Sequence, residues 1–134
     1  MSDAPDGSYA PVPDGHPDPG EVVWAWVPYE DDPSQGKDRP VLVIGTAVGA
    51  AGEPLLHCLV MTSKDHDRDA EQEAAAGRYW TDVGTGAWDP RGRPSEVRLN
   101  RLLVIPADSV RREGAALPPQ TYAAVIAERQ RFLR

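Results

Sequence analysis

The chain has 134 residues, 40% of them hydrophobic, with 14 Pro and 12 Gly. That composition suits one turn-rich globular domain and is too short for two comfortable ones. A net charge of −7 argues against general nucleic-acid binding, because phosphate contacts need clustered Lys and Arg. No apolar run approaches the roughly 20 residues that cross a bilayer. The N-terminus lacks the basic segment and apolar core of a secretion signal. A cytoplasmic protein away from membranes is expected, and the single cysteine, Cys58, permits no internal disulfide and reads as a buried thiol.

In chain order, residues 1–18 contain Pro5, Pro11, Pro13 and Pro17 with Asp3, Asp6, Asp14 and Asp18, and no Lys or Arg. Such a segment cannot bury enough apolar surface to offset its ordering entropy, so a disordered tail is expected, with Tyr9 its only sizeable apolar group and the domain spanning 19–134. Residues 21–28 place Val22, Trp24 and Trp26 on one face and Val23, Ala25 and Val27 on the other. Both faces are apolar, which predicts a central strand with Trp24 and Trp26 in the core.

Turn-forming residues 29–38 lead into a second strand, Pro40-Val41-Leu42-Val43-Ile44. A third strand over 55–62 alternates Leu55, His57, Leu59 and Met61 with Leu56, Cys58, Val60 and Thr62, which puts His57 on a core face. Residues 64–77 read as a charged loop or one short helix, and 79–83 and 96–105 as later strands. Residues 108–114 suggest a helical turn closed by Gly114. After Pro118-Pro119, the spacing of Tyr122, Val125, Ile126, Arg129, Phe132 and Leu133 predicts a C-terminal amphipathic helix. Five or six short strands and one helix make a mainly β (α+β) domain, a small antiparallel barrel with the helix packed on it.

The charge is uneven. Residues 1–90 hold five Lys or Arg against 17 Asp or Glu, whereas residues 91–134 hold nine Arg against four acids. The basic C-terminal part can face RNA although the whole repels it, or it can be an ordinary solvated surface.

Three segments resemble the MazF/PemK family of type II toxin-antitoxin toxins in order and spacing: Pro19-Gly20-Glu21-Val22-Val23-Trp24, then Gly36-Lys37-Asp38-Arg39-Pro40-Val41-Leu42-Val43-Ile44, then Val60-Met61-Thr62-Ser63-Lys64. Residues 97–105 resemble that family's late strand. The resemblance implies an SH3-like barrel of the CcdB/MazF type that forms homodimers and cuts single-stranded RNA with no metal or cofactor. It also implies silencing by a cognate antitoxin protein. By the same resemblance Arg39 and Thr62 are the catalytic residues, and the RNA 2'-hydroxyl is the nucleophile that leaves a 2',3'-cyclic phosphate.

The chemistry suits those residue types. A guanidinium meets the extra charge of a phosphorane with two directed hydrogen bonds, and a Thr hydroxyl, stiff at χ1, can donate to a phosphate oxygen. Ser63, Lys64 and His66 are candidate helpers, and Lys37, Trp80 and Trp88 candidate RNA contacts, the two indoles by stacking on bases. A surface ion pair with Asp38 is the competing use of Arg39. The run Lys64-Asp65-His66-Asp67-Arg68-Asp69 lacks the spacing and Gly of a calcium loop and the Cys/His frame of a zinc site, so no metal is expected. Two other classes remain open: a gyrase-poison-like protein-binding module, as in the CcdB type, or a regulatory barrel without activity.

Overall fold

The computed structural model describes residues 17–63, 75 and 77–132. Six strands form one antiparallel sheet: β1 (Glu21–Pro28), β2 (Gly36–Val48), β3 (Pro54–Ser63), β4 (Trp80–Gly84), β5 (Ser95–Pro106) and β6 (Arg111–Ala116). A 3-10 turn (Ala107–Ser109) precedes β6, and helix α1 (Pro119–Phe132) ends the described chain. Strand order is β4-β5-β3-β2-β1-β6.

Apolar residues on both faces of the strands give two cores. On one face Val22, Leu42, Ile44, Leu59, Met61, Val97 and Leu99 pack with Trp88 and with Tyr122 and Val125 of α1. Val83 of β4 and Ala115 of β6 join the same cluster, so residues from both ends of the sheet meet under the helix and the sheet is curled into a barrel-like form. On the other face Val23, Ala25, Val27, Val41, Val43, Cys58 and Val60 form the second core, covered by Leu103, Ala107 and Val110 as β5 and the 3-10 turn fold over it. Burial pushes the Cys58 thiol up to about 12, so it stays protonated and inert.

Gly20 locks the entry to β1. Its φ of 101° is one that L side chains avoid, and it lets the residue donate to Val43 O and accept from Leu117 N at 2.9 Å each.

Several expectations change. Pro17 is buried and Asp18 accepts the Glu21 amide at 3.0 Å, so the packed chain reaches two residues beyond the boundary drawn at 18. Residues 111–116 are strand, not the end of a helical turn; only residues 107–109 coil, as a 3-10 turn. β6 is fastened to β1 by Arg112, whose Nε and Nη2 donate to the buried Glu21 carboxylate at 3.0 and 2.6 Å. Trp26 is 58% exposed rather than in the core, because β6 pairs with β1 only as far as Trp24. Trp24 is half-buried and donates to Trp88 O at 3.0 Å. His57 is likewise half-buried, opposite Val104, and belongs to neither core. Among the described residues no helix is long and apolar enough to cross a membrane.

Candidate active site

Val41 of β2 pairs with Val60 of β3, so Arg39, two residues before the one, and Thr62, two residues after the other, share a face of the sheet. Their side chains meet: Arg39 Nη1 donates to Thr62 Oγ1 at 3.3 Å. Both residues are half-buried. β2 starts at Gly36, four residues earlier than the apolar run suggests, so Arg39 lies within the strand opposite Ala25 of β1 and not in a loop. Strand placement holds the guanidinium better than a loop would. Asp38 alternates to the other face, where it accepts from Arg111 Nη1 at 3.1 Å.

β5 runs along the far side of β3. Leu59 pairs with Leu102 but Met61 with Val97, so residues 98–101 bulge out opposite Val60. Bulges re-aim side chains, and this one brings Arg98 and Arg101 to the space beside Arg39. The result is a groove of about 500 Å³ lined by Arg39, Arg78, Arg98 and Arg101 against two acids, Glu30 and Asp31. Positive charge is therefore concentrated here in a chain of negative net charge.

Arg98 is the residue that sequence reading missed. Its side chain is 6% exposed, its two terminal nitrogens each donate to Glu30 at 3.1 Å, and its Nε donates to Asn100 Oδ1 at 2.7 Å. The signal was a charged residue between Val97 and Leu99 in an apolar strand. The hydrogen bond from Arg98, helped by the charges of Arg98, Arg101 and Arg78, holds the Glu30 carboxyl below its usual range. Arg101 Nη2 donates to Pro28 O at 2.8 Å, so the two arginines of the bulge hold the end of β1 and the loop that follows it.

A second groove, of about 260 Å³, shares Arg39 and adds Lys37, Thr62, Ser63, Asp89 and Arg93. Ser63 pairs with Ser95, and its carbonyl accepts from Thr62 Oγ1 at 3.4 Å. Burial alone would raise the Asp89 pKa. Arg93 Nε at 2.8 Å and the Arg91 amide at 2.9 Å outweigh it and hold the carboxyl below the usual range.

Of the proposed RNA contacts, Lys37 is exposed on the second groove and Trp80 half-buried on the first. Trp88 is not available for stacking: it is 1% exposed, packed in the helix-side core, and its Nε1 donates to Ser95 Oγ at 2.9 Å. Apolar surroundings hold an indole when its one polar atom finds an acceptor. Lys64 and His66 lie outside the described residues. Among the described residues no group of three His, Cys, Asp or Glu is placed to share a metal ion.

A family model described as a PemK-like, MazF-like toxin of type II toxin-antitoxin systems matches residues 18–133. The chain belongs to this family. Comparisons with curated proteins and with solved structures gave no match. The antiparallel sheet with a C-terminal helix is the barrel-like α+β fold of PemK and MazF toxins, as the sequence led one to expect. PemK-like toxins are endoribonucleases as a class, and the two residues that the resemblance singles out are in contact, Arg39 lining both grooves and Thr62 the smaller one.

Proposed function

We propose that this PemK-like protein is an endoribonuclease toxin that cuts single-stranded RNA without a metal ion. The observation that carries the reading is the Arg39–Thr62 contact, in which Arg39 lines both grooves and Thr62 the smaller one, so that RNA bound in either groove passes Arg39. The RNA 2'-hydroxyl gives its proton to solvent as its oxygen bonds to the adjacent phosphorus, and the bond from phosphorus to the 5'-oxygen of the next nucleotide breaks, that oxygen taking a proton from solvent. The products are a 2',3'-cyclic phosphate and a 5'-hydroxyl. Arg39 meets the negative charge that builds on the equatorial oxygens of the phosphorane, where a fixed guanidinium is most effective. Thr62 donates its hydroxyl to one of the same oxygens, and Lys37 and Ser63 hold the flanking phosphates.

The active species is a homodimer held silent by a cognate antitoxin. The family resemblance carries the dimer; Trp26, Val48 and Val104 are each more than half exposed, but Trp26 lies beside one end of β2 and Val48 at the other, and Val104 is on the other face from Val48. Incubating the purified protein with mixed-sequence RNA in EDTA and identifying the ends tests the reading. Discrete cuts with cyclic-phosphate ends are expected; intact RNA, or ends bearing 5'-phosphate, would sink it.

A further inference from the structure

The larger groove beside Arg39 holds more than phosphate ligands. Trp80 on β4 lies half-buried along it, with the Arg98 guanidinium 5.9 Å from the ring centroid. Glu30 lines the same groove. Each of its carboxylate oxygens accepts from Arg98 at 3.1 Å, yet the side chain is 49% exposed. An ionised carboxylate has about four acceptor positions. Two bonds from a buried arginine thus fix the group in space and leave about two acceptor positions on a half-exposed carboxylate that lines the groove. Arg78 and Arg101 border the same space.

Single-stranded RNA exposes the Watson–Crick edges of its bases. Guanine alone has two adjacent N–H donors on that edge, N1–H and the 2-amino group, and both can converge on one carboxylate oxygen. Adenine and cytosine set a ring-nitrogen acceptor beside their amino group, and uracil flanks its one N–H with two carbonyls. Each of these three would turn a lone pair toward Glu30. The O6 of guanine, in turn, suits a guanidinium donor.

We propose that the groove formed by Glu30, Trp80 and Arg98 is a guanine-selective base pocket next to the scissile phosphate, in which Trp80 stacks on the base and Glu30 reads its N1–H and 2-amino donors. This rests on the ribonuclease reading above, in which Arg39, a residue lining the same groove, meets the reacting phosphate.

Cuts mapped on mixed-sequence RNA should carry guanine at one fixed position beside the broken bond. On short RNAs that differ only there, A, C or U in place of G should lower kcat/KM about ten- to a hundredfold. Inosine, which keeps N1–H and O6 and lacks the 2-amino group, should fall between. Glu30→Gln keeps an acceptor for Arg98 and removes the charge, so it should bring the four bases to within a few-fold of one another. Trp80→Ala should instead raise KM for all four alike. The substrate series uses the wild-type protein, so it decides the matter even where a variant disturbs the loop. Cuts with no fixed guanine, or a folded Glu30→Gln variant that keeps the wild-type preference, overturn the pocket and leave the ribonuclease reading standing. RNA left uncut by the wild type overturns both.

Discussion

Arg39 Nη1 and Thr62 Oγ1 stand 3.3 Å apart across β2 and β3, although 23 residues separate them in the chain. Groups that act on one phosphate have to be brought this close and held there, and adjacent strands do both.

If the pair works as a unit, losing Thr62 should matter less than losing Arg39, because a neutral hydroxyl makes a weaker bond than a guanidinium. Thr62→Ala should slow cleavage roughly ten- to a hundredfold. Adding it to Arg39→Ala should cost much less than the product of the single effects. Strict multiplication of the two effects in single-turnover assays would show that they act independently.

The parts of this site that lay in regular strands were legible in the sequence, and the parts made by irregularity were not. Apolar runs and alternation showed β1, β2 and β3, although the run of β2 stopped short of Arg39, and the ordered segments around Arg39 and Thr62 showed the family. The β5 bulge defeated the same reasoning. Val97, Leu99, Leu103 and Ile105 are all odd-numbered, yet the first two pack with the helix-side core and the last two with the other. A period-2 pattern carries no sign of four residues opposing one, so the charge between Val97 and Leu99 marks Arg98 as unusual without showing where it points. Trp88 was misread for a related reason. Its burial comes from the fold of the 85–95 turn, where a side chain at Gly86 would collide with the indole, and nothing local marks that.

Trp88 therefore yields a stability prediction rather than a binding one. Trp88→Ala empties a core position and leaves Ser95 Oγ and the turn without their anchor, and it should destabilise the protein by about 3–5 kcal/mol. Urea unfolding checks this. A variant as stable as wild type but weaker on RNA would restore Trp88 as a stacking residue.

Asp89, whose carboxyl is held below its usual range, should contribute to an acid limit on stability. A carboxyl whose folded pKa lies below its unfolded value, about 3.9 for Asp, stabilises the fold above that value. Its contribution is lost as pH falls through the lower, folded value. The urea midpoint should drop on acidification below about pH 4, and Asp89→Asn should lower it at neutral pH while flattening that drop. An acid profile that Asp89→Asn leaves unchanged would assign the limit to other groups.

Oligomeric state is open to a direct reading. Light scattering of the full chain at micromolar concentration should give about twice the 14.6 kDa chain mass. A mass near that of one chain would count against the dimer.

In the proposed ribonuclease reading, Arg39 supplies the charge that stabilises the transition state for RNA cleavage. One measurement tests it most directly: the cleavage rate of a labelled single-stranded RNA in EDTA by wild type and Arg39→Ala, with folding of both checked by thermal melting. Wild type should cut to cyclic-phosphate ends, and Arg39→Ala should cut at least about a hundredfold more slowly while melting within a few degrees of wild type. A folded Arg39→Ala protein that cuts as fast as wild type would contradict the account.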